Sequence, residues 1–390
     1  MNMSCFVNST KNCRLLIPVT RDKYSKWKTK QTHQTKSWVK NSRFTAEPGD
    51  FCVIPDKNSV PNKVLIGISE KINIWDFSNL PKKLPPGDYK IDYPNIEAIE
   101  KWCLGWALGA YSFDRFKTTN RQKISRLVIK DRNKIEVAAQ ATYLVRDLIN
   151  TPASHMNPEE LAKAAKEIAD QNKASFKVIV GENLLKRNFP AIHAIGRAIK
   201  DKEQEPRLID IKWGKKNDPK VILVGKGVCF DTGGLNLKPT NGMKLMKKDM
   251  GGAANVLGLA QMIMSTKLPI QLRVLIPAVE NNVSGNALRP LDIIKSRNGT
   301  TIEITNTDAE GRVILADALA EACSDKPDLI IDFATLTGAA RVALGTEIPV
   351  LFTNDDKFAK DLSESGLTEQ DPIWRLPLWY GYKNMILGDS

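Results

Sequence analysis

Three nearly uninterrupted apolar runs, separated by segments of helical character, constrain the fold of this chain more than any other feature. The runs are KVILVGKG at 220–227, QLRVLIPAVE at 271–280 and DLIIDFATLTG at 328–338, and helices are predicted at about 251–266 and 312–324. Strands that are apolar on both sides are typical of a parallel sheet flanked by helices. In such sheets, polar residues at the carboxyl ends of the strands are candidates for a functional site.

The sequence predicts an α/β fold with two domains. Residues 1–131 form a smaller N-terminal α/β domain, 132–149 a connecting helix, and 150–390 a larger domain whose mostly parallel sheet is flanked by helices. In the first domain, strands are predicted at 51–55, 63–69 and 125–131, and a helix is predicted at 95–111. In the second, Asn157, Pro158 and Glu160 have the spacing of an N-cap, a first-turn proline and a capping-box residue.

No sequence feature indicates a membrane or secreted protein. The 390 residues are 42% hydrophobic and 26% charged, and no apolar run approaches the ~18–20 residues that span a bilayer. The first residues, MNMSCFVNSTKNCR, lack the apolar core of a signal peptide. The six cysteines form no CxxC pair and are expected to be buried, reduced thiols. We therefore expect a soluble cytoplasmic protein without membrane association.

The chain is basic, and much of the excess charge lies near its N-terminus. The net charge is +13, and the first 50 residues hold ten lysines and arginines against three acidic residues. Trp27, Trp38 and Phe44 are interleaved with these charges, a pattern found in nucleic-acid-binding surfaces. The simpler interpretation is an ordinary solvated surface.

Histidine is scarce, since the chain contains only His33, His155 and His193. No HExxH motif and no Cys/His zinc cluster can be built from them. A Ser-His-Asp or Cys-His site stays open, although neither His155 nor His193 lies in a recognisable nucleophile motif. If the chain is a metal enzyme, its ligands must therefore be mainly oxygen donors or an unusual donor.

The segment TNTDAEGRV at 305–313 carries charged residues at alternate positions, Asp308, Glu310 and Arg312. In an extended segment these side chains point to the same side, where two carboxylates repel each other and need a cation. The alternative is structural. Thr307 or Asp308 caps the helix formed by RVILADALAEAC, and acidic residues suit its first turn.

A second charged cluster follows the first apolar run, in GKGVCFDTGGLNLKPTNGMKLMKKDMGG, and contains Lys226, Asp231, Lys238 and Asp249. A phosphate-binding loop does not match, because glycine follows Lys226 where the Walker A motif has Ser or Thr. A dinucleotide-binding GxGxxG motif is also absent from this segment.

Both clusters are expected at the same edge of the sheet. Asp231, Asp249, Asp308 and Glu310 would then converge, and converging carboxylates require cations or strongly raised pKa values. A pair of divalent ions that share a bridging carboxylate meets this requirement and can activate a water molecule for hydrolysis.

These two clusters resemble those of the leucyl aminopeptidase family of cytosolic dinuclear metallopeptidases. NTDAEGR and GKGVCFD, together with the lysine at 238 and the aspartate at 249, match the motif positions of the family. From about residue 95 onward, further similar segments are RDLINTPASHMNPEELA, PAIHAIGRA, DFATLTGAARVALG and LFTND. The resemblance implies a metal-dependent aminopeptidase that hydrolyses the N-terminal residue, leucine or another apolar residue, from peptides.

The resemblance also implies a role for each motif residue. One divalent ion is bound by Lys226, Asp231, Asp249 and Glu310, and the other by Asp231, Asp308 and Glu310, with Asp231 and Glu310 bridging and Asp308 adding its backbone carbonyl. Lys226 then binds as a neutral amine with a depressed pKa. Lys238 polarises the scissile carbonyl, and Arg312 holds a bicarbonate ion that serves as general base. Leu336 and Gly338 offer backbone groups to the substrate, and the expected ions are Zn²⁺ or Mn²⁺.

Three alternatives stay open at this point. In the family the catalytic domain continues beyond WYGYKNMILGDS, so the chain is either a fragment of a working enzyme or a truncated, catalytically inactive homologue. A DNA-binding regulator on the same fold is a further hypothesis, motivated by the basic first 50 residues. The family assembles as a hexamer, so the resemblance implies a homo-oligomer if the C-terminus permits it.

Overall fold

The computed structural model of the chain describes residues 3–8, 12–118, 123–130 and 132–387. Clustering of contacts divides the chain into two compact units, Met1–Tyr143 and Leu144–Ser390. The division lies inside helix α5 (Asn133–Asn150), where the sequence predicts a connecting helix.

The first unit contains a six-stranded sheet with helices. Its strands are β1 (Phe6–Val7), β2 (Arg14–Val19), β3 (Phe51–Pro55), β4 (Pro61–Gly67), β5 (Asp88–Ile91) and β6 (Arg126–Val128). Its helices before α5 are α1 (Arg21–Thr29), α2 (His33–Asn41), α3 (Leu80–Lys83) and α4 (Ile96–Ala110). The strand order is β1-β6-β5-β2-β4-β3, and every pairing is parallel except that of β3 with β4.

The core of this unit forms where α4 packs against the sheet. Trp102 and Trp106 of α4 are buried, and Phe77 stacks on Trp102 with ring centroids 4.8 Å apart. The predicted strands and helix of this unit are present within a few residues, although position 131, the end of one predicted strand, lies outside the described residues. Strands β1, β2 and β5 and helices α1, α2 and α3 were not predicted from the sequence.

The aromatic residues of the basic N-terminal segment take part in packing. Phe44 is buried, and Trp27 stacks on Tyr24 at the edge of the same apolar cluster. Trp38 is exposed, and its indole Nε1 donates to the carbonyl oxygen of Val53 at 2.9 Å. This use of the aromatic rings favours the interpretation of the basic segment as a solvated surface.

The second unit contains a larger mixed sheet. Its strands are β7 (Ser175–Val180), β8 (Arg207–Trp213), β9 (Lys220–Gly225), β10 (Gly227–Asp231), β11 (Gln271–Asn281), β12 (Ile293–Lys295), β13 (Thr301–Glu303), β14 (Leu329–Phe333), β15 (Val350–Leu351) and β16 (Trp374–Arg375). Its helices are α6 (Pro158–Gln171), α7 (Asn183–Lys186), α8 (Pro190–Gly196), α9 (Thr240–Met243), α10 (Gly251–Thr266), α11 (Glu310–Ser324), α12 (Gly338–Leu344) and α13 (Asp356–Glu369).

The main sheet has the order β14-β9-β11-β8-β7, and β10 pairs with the end of β11 beyond β9. The pairings of β14 with β9, β9 with β11 and β10 with β11 are parallel, whereas β8 and β7 continue the sheet in antiparallel fashion. Helices α6 and α10 pack on one face, and α8 and α11 pack on the other. This arrangement confirms the predicted α/β fold and explains why the central strands are apolar on both sides.

Two predicted strands differ from the observed ones. The run 220–227 is interrupted at Lys226, so that it contributes β9 and the start of β10. The run 328–338 ends as a strand at Phe333, and α12 begins at Gly338. The helix predicted at 251–266 is observed with those bounds, and Asn157 caps α6 by accepting from the backbone N of Glu160 at 3.0 Å. The carboxylate of Glu160 contacts Lys163.

Among the described residues, no helix is long and apolar enough to cross a membrane. All six cysteines are free, and Cys5, Cys52, Cys103 and Cys229 are buried as expected. Cys13 is half-buried and Cys323 is exposed, contrary to the expectation for these two.

Candidate metal centre

Lys226 lies at the junction of two strands at the carboxyl edge of the sheet. Its backbone N donates to the carbonyl oxygen of Phe333 at 2.9 Å, and its own carbonyl accepts from the N of Ala253 at 2.8 Å. These bonds join β9, β14 and α10 around one residue. A Cβ at Gly225 would lie 2.7 Å from the backbone of Ala253, which explains the glycine before Lys226.

The Lys226 ammonium is buried between two acidic residues. Its Nζ lies 2.7 Å from Oδ2 of Asp249 and 2.9 Å from Oε1 of Glu310. All three residues are at most 2% exposed. A Cβ at Gly311 would lie 2.5 Å from Cε of Lys226, so the glycine beside Glu310 gives the lysine its space.

A second lysine, Lys238, joins the other two acidic residues. Its Nζ lies 2.8 Å from Oδ2 of Asp231 and also contacts Oδ1 of Asp308. Carboxylate oxygens of Asp231, Asp308 and Glu310 lie within 4.8 Å of one another. The structure therefore brings together the four carboxylates and two lysines that the sequence analysis assigned to one edge of the sheet.

The extended conformation expected for 305–313 is wrong. Thr307–Ala309 form a turn of 3₁₀-helix, and Glu310 is the first residue of α11. The alternative that Thr307 or Asp308 caps α11 is also wrong, because the N-cap position of α11 is Ala309, which offers no side-chain cap. Asn306 caps the preceding 3₁₀ turn by accepting from the N of Asp308 at 2.8 Å. The tight turn, and not alternation along a strand, brings Asp308 and Glu310 to the same centre.

Hydrogen bonds of Thr307 join this turn to the loop that carries Lys238. The Thr307 hydroxyl donates to the carbonyl oxygen of Gly233 at 2.7 Å and accepts from the N of Asn236 at 2.8 Å. The N of Thr307 in turn donates to Oδ1 of Asn236 at 2.8 Å. Gly233 and Gly234 have φ values of +90° and +63°, which permit the tight course of this loop.

Neutral polar residues that the sequence analysis did not identify also support the centre. Thr335 donates from Oγ1 to Oδ1 of Asp249 at 2.7 Å, and Asn281 donates from Nδ2 to Oδ1 of Asp231 at 2.8 Å. Neither residue stands out by charge. The only signal for them is position, because both lie at or just after the carboxyl end of a central strand.

The electrostatics of the cluster indicate a deficit of positive charge. Burial, together with Asp231 and Asp249, raises the pKa of Glu310 to about 7 even though Lys226 lowers it. Oε2 of Glu310 is buried without a hydrogen-bond partner among the described residues, whereas Oε1 of Glu310, Oδ2 of Asp249 and Oδ1 of Asp308 are buried and contact only a lysine Nζ. Buried polar atoms are normally satisfied. These carboxylate oxygens are therefore suited to bind divalent cations, which contact the oxygen directly and supply the missing partner.

Both lysines are held as ammonium ions by the neighbouring carboxylates. Burial lowers the pKa of Lys226, but Glu310 and Asp249 outweigh it and the net shift is upward. For Lys238, Asp231 and Asp308 likewise outweigh burial and raise the pKa. The neutral amine predicted for Lys226 therefore requires that a cation displace its proton, since the carboxylates alone favour the charged form.

The remaining predicted residues lie at the surface of the second unit. Arg312 is exposed in the first turn of α11, Leu336 is 41% exposed in the segment before α12, and Gly338 is the first residue of α12. Their predicted roles stay predictions. His193 contacts Glu182 and His155 contacts Ser154, so neither histidine contributes to the described cluster.

Comparison with known proteins agrees with the resemblance seen in the sequence. A family model described as the cytosol aminopeptidase family, catalytic domain, matches residues 143–389. Another, described as the M17 aminopeptidase N-terminal domain, matches residues 15–130. The second match lies in the basic region, where the sequence resemblance is weak.

Similar proteins include a probable cytosol aminopeptidase of Syntrophotalea carbinolica, 40% identical over 311 residues that cover 75% of this chain and 62% of the relative. Peptidase B of an Enterobacter species (strain 638) is 44% identical over 241 residues that cover 60% of this chain and 56% of the relative. The chain thus spans less than two thirds of the length of these relatives.

Solved structures agree at the level of the fold. The crystal structure of a cytosol aminopeptidase from Coxiella burnetii is similar with a TM-score of 0.95 at 46% identity, covering 100% of this chain and 85% of that chain. The bottromycin maturation enzyme BotP in complex with Mn has a TM-score of 0.85 at 29% identity, covering 96% of this chain and 84% of that chain. By its sequence and its fold, this chain belongs to the cytosol aminopeptidase family.

Proposed function

We propose that the chain is a metal-dependent aminopeptidase that hydrolyses the N-terminal residue, leucine or another apolar residue, from peptides. The observation that carries this proposal is the largely buried cluster of Asp231, Asp249, Asp308 and Glu310, where Lys226 and Lys238 contact the carboxylates and Lys248 lies 4.0 Å from Asp249. The names of the similar proteins, cytosol aminopeptidase and peptidase B, support the same reaction class.

Two divalent ions would be held by Lys226 and the four carboxylates, and the family resemblance supports Asp231 and Glu310 as ligands shared by both ions. Such ions would supply Lewis acidity toward the peptide carbonyl and lower the pKa of a water molecule. The lysine nitrogen among oxygen donors favours Zn²⁺ or Mn²⁺ over Mg²⁺. The Mn complex of the related BotP supports manganese as a candidate.

Lys238 would stabilise the negative charge that develops on the carbonyl oxygen during hydrolysis. Asp231 and Asp308 raise its pKa, so its ammonium stays charged at neutral pH and can donate hydrogen bonds. It is only partly exposed, at 14% of its side chain, which limits competition from water.

Arg312 would hold a bicarbonate ion that accepts a proton. Within the described residues its guanidinium has no hydrogen bond or ion pair, and it is exposed two residues after Glu310 in α11. The backbone of Leu336 and Gly338 would orient the peptide. A Cβ at Gly338 would meet nothing within 4 Å, so the chain there is open to a ligand.

The partners and location follow from the same assignment. Peptides are the proposed substrates, and the family resemblance supports a homo-oligomer, a hexamer. The word cytosol in the names of the relatives supports a cytoplasmic location. Nucleic-acid binding by the basic N-terminal segment finds no support in the way its aromatic residues pack.

The test is hydrolysis of leucine-p-nitroanilide by purified chain 1–390, treated with chelator and then given Mn²⁺ or Zn²⁺. We expect turnover that depends on the metal and disappears in Asp308→Ala. Asp361→Ala removes an exposed carboxylate of α13 and serves as the matched control that keeps full activity. A folded, metal-loaded chain without turnover would refute the proposed activity and favour a catalytically inactive homologue.

A further inference from the structure

We propose that Asn281 is a positioning residue of the metal centre, whose side-chain amide orients the Asp231 carboxylate toward the segment that carries Asp308 and Glu310. This inference rests on the metal centre of the proposed function. It adds a role for a neutral residue that is not itself expected to bind metal or substrate.

Asn281 occupies a fixed place beside the centre. It is the last residue of the central strand β11 and is paired in register with Asp231 at the end of β10. Its side chain is buried, with 5% exposure. Because strand pairing fixes its backbone on the same edge as Asp231, its amide reaches the centre from a rigid element and not from a loop.

Both protons of the amide are used, and they bind two different segments. Nδ2 donates to Oδ1 of Asp231 at 2.8 Å and to the carbonyl oxygen of Thr307 at 3.1 Å. Asp308 follows Thr307 directly, and Glu310 begins α11 two residues later. One side chain therefore links the Asp231 carboxylate to the backbone of the segment that carries Asp308 and Glu310.

As a consequence, the two carboxylate oxygens of Asp231 have different hydrogen-bond partners. Oδ1 accepts from Nδ2 of Asn281 and from the N of Gly233, both at 2.8 Å, whereas Oδ2 lies 2.8 Å from Nζ of Lys238. Two neutral donors thus occupy Oδ1 and turn Oδ2 toward the cationic side of the cluster. Because the donors are uncharged, they orient the carboxylate without neutralising it.

The backbone of Asn281 also holds the start of the loop that carries Lys238. Its carbonyl oxygen accepts from the N of Thr232 at 3.0 Å and from the hydroxyl of Thr232 at 2.8 Å. The carbonyl of Thr232 in turn accepts from the N of Lys238 at 2.9 Å. Side-chain substitutions at Asn281 leave these backbone bonds available, so they test the amide alone.

The experiment measures Mn²⁺ affinity of the chelator-treated full chain by isothermal titration calorimetry at neutral pH. We compare wild type with Asn281→Ala and with Asn281→Leu, which keeps the approximate shape of the side chain but removes the donor without adding charge. Asn282→Ala is the matched control, because the neighbouring amide donates to Glu280 at 2.9 Å and not to the centre.

We expect Mn²⁺ affinity to fall about 10- to 100-fold in both Asn281 variants, as is usual when a residue that orients a ligand is lost, and to stay unchanged in Asn282→Ala. Excess Mn²⁺ should restore much of the leucine-p-nitroanilide hydrolysis of Asn281→Ala. If the alanine variant does not fold, Asn281→Leu, which is close to asparagine in size, decides the question.

Different results overturn different statements. Unchanged Mn²⁺ affinity in the Asn281 variants, with a lowered melting temperature, would show that the amide only stabilises the fold and would refute this inference alone. Absence of Mn²⁺ and Zn²⁺ binding by the wild-type chain would refute the metal centre of the proposed function, and this inference with it.

Discussion

Gly311→Ala adds one methyl group beside Lys226 and tests whether the position of the buried lysine depends on the space that the glycine leaves. The new Cβ would lie 2.5 Å from Cε, 2.7 Å from Nζ and 2.9 Å from Cδ of Lys226. Ordinary contacts between such atoms are about 3.5–4 Å. Lys226 must therefore move by about 1 Å. Its Nζ lies 2.7 Å from Oδ2 of Asp249 and 2.9 Å from Oε1 of Glu310, so the movement lengthens both ion pairs.

The size of the effect follows from the two ion pairs. Lengthening each by about 1 Å at an effective dielectric constant of about 20 weakens the attraction by about 3 kcal/mol in total. Alanine is favoured over glycine in a helix by up to about 1 kcal/mol, which offsets part of the loss. We expect the free energy of unfolding of Gly311→Ala to fall by about 2 kcal/mol, a value within the usual range for overpacked sites.

The assay is urea denaturation of the chelator-treated protein, with Gly242→Ala as the matched control. Gly242 is also helical, and a Cβ there would meet nothing closer than 3.6 Å, so the same substitution should be neutral or slightly stabilising. If the two variants have the same stability within about 0.5 kcal/mol, an amount typical of harmless surface changes, then Lys226 does not depend on the glycine and the reasoning fails.

Three further outcomes are expected. Lys238→Ala should lower kcat by about 100- to 1000-fold, the usual effect of losing an oxyanion donor, while calorimetry shows Mn²⁺ affinity retained. Because burial and nearby carboxylates raise the pKa of Glu310 to about 7, protons should compete with the metal, and Mn²⁺ affinity measured across pH should fall as the pH drops below about 7. Asp317→Ala should lower the free energy of unfolding by about 3 kcal/mol without changing Mn²⁺ affinity, because the buried carboxylate accepts from the backbone N of Ala191 and of Arg297. A changed Mn²⁺ affinity in Asp317→Ala would contradict the purely structural role of Asp317. A Mn²⁺ affinity that does not vary with pH would contradict the raised pKa of Glu310.

The sequence predicts the central elements well where burial dominates. Strands β9, β11 and β14 are apolar on both sides because helices cover both faces of the sheet, so the pattern and the structure have the same cause. The missed helices α1 and α2 lie in the basic segment, where polar residues dominate the pattern and α1 buries no residue fully. Hydrophobic periodicity carries little information for helices that bury few side chains in the core.

The candidate site is predicted more completely than the local geometry that forms it. The spacing of charged residues identifies Lys226, Asp231, Asp249, Asp308 and Glu310, which the structure brings together. The same spacing gives the wrong conformation for 305–313, because the cap by Asn306 and the helix that follows outweigh the alternation of charges. Uncharged hydrogen-bond partners such as Asn281 and Thr335 cannot be identified from the pattern of charged residues. They are identified from their contacts with Asp231 and Asp249 in the structure.

The two lysines explain how four acidic residues converge in a folded chain at all. Lys226 and Lys238 each lie between two carboxylates, so every carboxylate has an ammonium partner. Lys248 adds a more distant positive charge, with its Nζ 4.0 Å from Oδ1 of Asp249, so the lysines still do not balance the four carboxylates, and the pKa of Glu310 rises to about 7. Lys226 can bind a divalent cation only after it loses its proton, since an ammonium cannot be a ligand. Metal binding to this centre should therefore release protons from the lysine and the glutamate together, and its affinity should rise with pH more steeply than one titrating group allows.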